Sequence, residues 1–152
     1  AISGYYQARY GLDIAPQRIV ITPGASGALQ LLMALLVEPG DEVLMADPGY
    51  PCNRNIIHLY GGTPVPVVSE NENYPLNADE INKKWSNGVT CGVIVTTPSN
   101  PTGTVLDRQA LTGIQSVVAA RKGYLVVDEI YQGLIYDAQD VTALELGSDV
   151  YV

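Results

Sequence analysis

Lysine is scarce in this chain of 152 residues, occurring only at positions 83, 84 and 122. The first two sit together near the end of a short helix-like stretch and the third at another helix end, the usual places of solvated surface charge. No lysine precedes Lys83. That excludes a phosphate loop of the Gly-x-x-x-x-Gly-Lys-Ser/Thr kind, although the run ending in Asp128-Glu129 resembles the second element of such ATP-hydrolysing sites. Basic residues number 8 against 16 acidic ones, and the net charge of −8 repels nucleic acid and anionic membranes. Long apolar runs are missing as well: the longest, Leu31 to Val37, is far too short to span a bilayer, and the N-terminus does not read as a signal peptide. Cysteine occurs only at 52 and 91, without metal-ligand spacing, so free reduced thiols in a cytoplasmic protein are expected. The single His58 has no carboxylate within sequence reach and is expected to fill surface or core rather than act as a base. The single Trp85 is expected to anchor a helix.

What the chain does contain is an alternation of strand-like and helix-like runs without repeats or a long linker. With 47% hydrophobic and 16% charged residues it can build a core. The pattern predicts one α/β domain over residues 1–152, a mostly parallel sheet with helices on both faces. Strands are predicted at Arg18 to Thr22, Glu42 to Ala46, Pro64 to Val68, Val89 to Thr97, Tyr124 to Asp128 and Asp149 to Val152. Helices are predicted at Ile2 to Tyr10, Ala25 to Val37, Cys52 to Tyr60, Ala78 to Trp85 and Asp107 to Arg121. The helix from Ala25 is apolar on nearly every face and is expected to be buried. The helix from Asp107 is amphipathic through Leu111, Ile114, Val117 and Val118, with Asp107 as its cap and Gly123 as its stop. Asn71 to Tyr74 reads as an exposed polar loop.

Two strand ends carry the chemistry. Ser99-Asn100-Pro101-Thr102-Gly103 is turn vocabulary, and Val126-Val127-Asp128-Glu129-Ile130-Tyr131 is a buried strand reaching water; neither is informative alone. Their spacing is informative. The 28 positions from Asn100 to Asp128 hold a helix-like stretch, a glycine and a short apolar run, which makes a βαβ unit. Its right-handed crossover brings the carboxyl ends of both strands to one rim, where open α/β sheets bind ligands. A carboxylate, Asp128, a phenol, Tyr131, and an amide, Asn100, can thus converge on one small ring. A pyridine nitrogen that must stay protonated needs the first, and an adjacent phenolate oxygen needs two donors such as the others. Upstream, Thr22-Pro23-Gly24-Ala25-Ser26-Gly27 turns a strand end into a helix start, an anion site made of free N–H groups and the Ser26 hydroxyl. Asp47-Pro48-Gly49-Tyr50-Pro51 presents an aromatic that can stack on a ring.

With these motifs in this order, the chain resembles the large domain of the class I/II aminotransferases, the aspartate-aminotransferase-like proteins of pyridoxal-phosphate fold type I. The motifs are Thr-Pro-Gly-Ala-Ser-Gly-Ala-Leu, Asp-Pro-Gly-Tyr-Pro, Ser-Asn-Pro-Thr-Gly and Asp-Glu-Ile-Tyr-Gln-Gly. The resemblance implies a pyridoxal 5'-phosphate cofactor. It further implies that Ala25 and Ser26 hold the phosphate, Tyr50 stacks on the ring, Asn100 and Tyr131 bind the ring oxygen, and Asp128 pairs with the ring nitrogen. It implies an enzyme that passes an amino group between an amino acid and a 2-oxo acid, and a homodimer. It also implies cis bonds at Asp47-Pro48 and Asn100-Pro101. In the family a Schiff-base lysine follows the strand after the one matching Asp128. None of Lys83, Lys84 and Lys122 falls there, so no catalytic residue is assigned and none of the five arginines inherits the family's substrate-binding role. The expectation is a fragment of the cofactor-binding domain, inactive alone, whose parent carries the lysine shortly after Val152. Other readings are a β-lyase or related fold type I enzyme, and a non-catalytic binding fragment.

Overall fold

A computed structural model describes residues 1–69 and 76–152. The elements in chain order are α1 (Ile2–Tyr10), α2 (Gly24–Leu36), β1 (Glu42–Asp47), α3 (Pro51–Leu59), β2 (Thr63–Val68), α4 (Ala78–Lys84), β3 (Thr90–Thr96), α5 (Arg108–Ala120), β4 (Tyr124–Asp128) and β5 (Val150–Tyr151). The five strands form one sheet in the order β2-β1-β3-β4-β5, and every neighbouring pair is parallel. The polar run Asn71 to Tyr74, read from the sequence as a loop, lies outside the described residues.

Side chains alternate across a strand, so each strand supplies both faces of the sheet. Leu44, Val93, Val95, Leu125 and Val127 pack with Ile81, Leu111, Ile114 and Val118 of α4 and α5 on one face. Val43, Met45, Ile94 and Val126 pack with Leu29, Met33, Ile56 and Ile57 of α2 and α3 on the other. The continuous apolar runs of β3 and β4 follow from burial on both faces, as expected of a parallel sheet. Each fully buried Leu, Ile or Val contributes about 1.5–3 kcal/mol of transfer free energy. Asp107 caps α5 by accepting from the Ala110 N–H at 2.8 Å, as predicted. Asn77 and Glu80 form a capping box at the start of α4.

The structure corrects three expectations. Arg18 to Thr22 is not a strand: Pro16–Arg18 is a 3-10 turn, and the residues after it pair with no strand among the described residues, leaving Val20 74% and Ile21 76% exposed. A β-type pattern specifies only the conformation, and a strand also needs a partner for its N–H and C=O groups. The apolar helix α2 is buried on one side only, through Leu29 and Met33, while Leu31 and Leu35 face outward. Gly123 follows α5 for a reason other than the predicted one. The left-handed residue there is Lys122, at φ 57°, whereas a Cβ on Gly123 would lie 2.4 Å from the Trp85 ring. Trp85 is thereby the buried anchor at the end of α4, with the Arg121 guanidinium 6.0 Å from its ring centroid. The single His58 is exposed, and both cysteines are free.

The two sheet edges differ. Thr63 donates its N–H to Asp41 at 2.7 Å, so the alternation of a parallel ladder turns Thr63, Val65 and Val67 toward β1 and Pro64 and Pro66 outward. Two of the outward positions of β2 therefore have no N–H to offer, a recognised way to blunt an edge. The double substitution Pro64→Thr, Pro66→Thr is expected to increase self-association, read by light scattering at matched concentrations. Unchanged monodispersity would remove this role from the prolines.

Candidate functional site

Because all strands are parallel, the carboxyl ends of β1, β3 and β4 lie on one rim, and the loops leaving them carry the candidate residues. Asp128 is the last residue of β4, level with Thr96 at the end of β3. Beyond β3, the Thr97 N–H donates to the Asp128 carbonyl at 3.0 Å, which extends the register and brings the next loop alongside. That loop closes on itself: Ser99 N–H donates to the Thr104 carbonyl at 2.8 Å and Gly103 N–H to the Ser99 carbonyl at 2.8 Å. The buried Thr97 hydroxyl accepts from the Leu106 N–H at 2.9 Å and ties down its far end. In this setting the Asn100 amide donates to the Tyr131 phenol at 3.5 Å, joining the two strand ends that the sequence spacing had paired.

Asp128 is half-buried, and its carboxyl is held above the usual range by that burial, opposed by the Ile130 N–H, which donates to it at 3.1 Å. Among the described residues no cation pairs with it. A carboxylate placed this way is poised for a positively charged partner.

The phenol of Tyr50 stands at the start of α3. It is raised above its ordinary pKa, first by the neighbouring Cys52 thiol as hydrogen-bond acceptor and further by the nearby Tyr131, while the Ser26 hydroxyl acts in the opposite direction. Ser26, Tyr50, Cys52 and Tyr131 therefore share one neighbourhood, although they come from three separate segments of the chain. Gly24 opens α2 at φ 79° and gives its N–H to the Thr22 carbonyl at 2.8 Å. The N–H groups of Ala25 and Ser26 in that first turn are left without an intrahelical acceptor, the condition for anion binding at a helix start. Asp47-Pro48 and Asn100-Pro101 are both cis, and so is Thr97-Pro98, which the sequence did not single out.

All six residues assigned to a cofactor from the sequence thus lie along this rim or on the helix start beside it. The three lysines lie elsewhere: Lys83 and Lys84 in the last turn of α4, and Lys122 in the turn entering β4 at its amino end. Residues that sequence reasoning did not assign also take part. Cys52 was read only as a lone thiol, and its position two residues after Tyr50 is its one sequence signal. Asn53 is 4% exposed on the inner face of α3, and its Oδ1 has no hydrogen-bond partner among the described residues.

The chain is thus a parallel α/β fold with a helix start whose first N–H groups are free of intrahelical acceptors, a half-buried carboxylate and a hydrogen-bonded amide–phenol pair on one rim. The chain belongs to the class I and II aminotransferase family, whose model matches residues 1–152 and whose members use pyridoxal phosphate. It is 36% identical over 143 residues to a valine–pyruvate aminotransferase of Mycobacterium tuberculosis, covering 94% of this chain and 37% of that protein. It is also 36% identical to a 1-aminocyclopropane-1-carboxylate synthase of Arabidopsis thaliana, over 89% of this chain and 29% of the relative. A crystal structure of an aminotransferase from Mycobacterium tuberculosis superposes with a TM-score of 0.91 at 34% identity, over 98% of this chain and 39% of that one. The chain therefore spans well under half the length of these relatives.

The raised Asp128 fixes a sign for stability. In the cofactor-free fold the group binds a proton more readily than in the unfolded chain, as does Glu129, which burial also raises. Between the unfolded and folded pKa values the native state holds more protons, so stability falls as pH rises through the window just above the ordinary carboxylate range. Asp128→Asn is expected to flatten this fall, since its amide can still accept from Ile130. Urea unfolding of both proteins without cofactor, at several pH values, checks it; parallel pH profiles would contradict the assigned cause.

Proposed function

We propose that this chain supplies the cofactor-holding part of a pyridoxal-phosphate-dependent aminotransferase. The observation that carries the reading is the half-buried Asp128 carboxylate, without a cationic partner among the described residues, set on the same rim as the Asn100–Tyr131 pair. The donor set fits the group. The anion site at Ala25 and Ser26 suits the phosphate, Asp128 suits a protonated pyridine nitrogen, and the Asn100 amide and Tyr131 phenol suit the ring oxygen. Tyr50 supplies an aromatic face between the two ends of that set.

When bound, pyridoxal phosphate supplies an electron sink for bonds at the α-carbon of an amino acid. The chain's own residues do the holding. Asp128 keeps a proton on the ring nitrogen, because its carboxylate, already costly to leave unpaired, gains a charge-assisted hydrogen bond there. Tyr131 and Asn100 donate to the ring oxygen and stabilise negative charge on it. Ser26 and the N–H groups of Ala25 and Ser26 fix the phosphate and so the depth of the ring. Tyr50 would hold the ring by stacking against its face. None of Lys83, Lys84 and Lys122 is at this rim, so the reacting lysine is a different one. The substrates are an amino acid and a 2-oxo acid, and the working unit is a homodimer in the cytoplasm. A second reading, a pyridoxal-phosphate enzyme that does not transaminate, draws on the synthase relative at the same identity as the aminotransferase.

In the full-length protein, borohydride trapping followed by peptide mapping is expected to place the pyridoxyl group on a lysine other than 83, 84 and 122. A stoichiometric adduct on one of those three would overturn the assignment. Asp128→Asn is expected to slow transamination on the order of 100-fold, the loss of a charged hydrogen bond, and Tyr131→Phe by about 10-fold or less. Near-wild-type rates for both would mean the ring partners are wrong, and turnover of an amino acid without 2-oxo acid exchange would favour the second reading.

A further inference from the structure

The turn that carries Asp128 and Tyr131 has a second side, and that side is gripped. The Gln132 N–H donates to the Glu129 carbonyl at 2.9 Å, a β-turn with Ile130 and Tyr131 at its centre. From its two corners the Glu129 and Gln132 side chains reach the distant segment Val141-Thr142-Ala143. Glu129 Oε1 accepts the Ala143 N–H at 2.6 Å, and its carboxylate also takes hydrogen bonds from Thr142 and Gln132. Gln132 Nε2 donates to the Val141 carbonyl at 2.5 Å. The anchor is immobile by packing: Val141, Thr142 and Ala143 are 4%, 2% and 0% exposed, and the 3-10 turn Ala143–Leu146 that follows packs against α5. Tyr6 and Asp140 are the other titratable groups beside Glu129.

Four of the five positions from Asp128 to Gln132 thus divide by face. Asp128 and Tyr131 turn toward the site, and Glu129 and Gln132 turn toward the core segment. We infer that Glu129, with Gln132, is a positioning residue: by clamping the turn to 141–143 it fixes the Tyr131 phenol against Asn100 and so sets the donor strength at the cofactor's ring oxygen. The part concerning the cofactor rests on the function proposed above; the clamp does not. Half-burying a carboxylate is costly, and its hydrogen bonds all come from this one turn and its anchor, which a charge serving solubility would not do. The sequence separation of 14 between Glu129 and Ala143 makes the grip tertiary, so it can hold the turn against the end of β4.

Two measurements on the full-length protein separate the clamp from its consequence. In the cofactor-free form, Glu129→Ala is expected to raise hydrogen exchange of the 129–134 amides and of Ala143, and Gln132→Leu to do so more weakly. Glu129→Gln, whose amide oxygen can still accept from Ala143 and Thr142, should retain most of the protection. Unchanged exchange in Glu129→Ala would overturn the clamp whatever the cofactor does. With pyridoxal phosphate bound, the pH midpoint of its visible absorption reads the charge on the ring oxygen. Removing a donor leaves more negative charge beside the imine nitrogen and moves the midpoint upward, by about half to one unit for Tyr131→Phe. Glu129→Ala should move it in the same direction by a smaller amount, and should add nothing in the Tyr131→Phe background. A shift that adds fully in that background would overturn transmission through Tyr131. If Tyr131→Phe itself leaves the midpoint in place while the exchange result holds, the ring-oxygen role of Tyr131 fails, and the clamp stands as an anchor of the turn alone.

Discussion

Parallel pairing of β1, β3 and β4 with both faces buried is the constraint on which everything else here depends. A parallel ladder forces a crossover between each pair of strands, and the crossovers are the helices that cover the sheet. Once covered on both faces, the strands read as uninterrupted apolar runs, and polar groups are confined to their ends. All carboxyl ends then point one way. The chemistry is consequently not distributed over the surface; it is collected on one rim by the same requirement that builds the core.

Collection at a rim creates a cost that the fold tolerates. Asp128 ends a strand whose preceding four residues are buried, so its carboxylate is partly desolvated before anything binds. The Ile130 N–H offsets part of this, and no cation among the described residues offsets the rest. A group that destabilises the empty fold is retained where its partner arrives with a ligand, which is the usual relation between strain and site. Glu129, next in sequence and also desolvated, is handled differently: it takes hydrogen bonds from Ala143, Thr142 and Gln132. Two adjacent carboxylates raised by the same cause thus separate into one without a cationic partner among the described residues and one hydrogen-bonded by several groups of the protein itself.

How much of this was legible in the sequence follows from what each feature depends on. The βαβ unit was readable because Asn100, the amphipathic stretch with Leu111, Ile114 and Val118, and Asp128 obey local rules of capping and periodicity. The helix and strand bounds fall within a residue or two for the same reason. The failures were tertiary. The pattern of Arg18 to Thr22 is that of a strand, and only the absence of a pairing neighbour among the described residues makes it something else. The apolar composition of α2 stated how much surface wants burial but not how much is covered. Gly123 carried a local signal, the end of a helix, and met a non-local demand, the Trp85 ring. The meeting of Asn100 and Tyr131 beside Asp128 was legible because strand ends are, whereas the closeness of Cys52 to Tyr50 and the grip of Glu129 on Ala143 depend on which segments meet and leave no mark in spacing.

The division of Asp128 to Gln132 by face also shows how a turn can be held in place from the core. A turn alone is a soft element, since its backbone groups can exchange protein partners for water at little cost. Here the opposite is enforced from three sides. The Asp128 carbonyl is held by the Thr97 N–H, the turn's own hydrogen bond closes it, and both corner side chains end on a segment with no solvent to exchange into. Opening the turn would strand the Ala143 N–H and the Val141 carbonyl in the core, and a buried unpaired group costs more than an ordinary hydrogen bond returns. Precision at the rim is therefore drawn from the interior, and the residues that face away from the site carry much of its geometry.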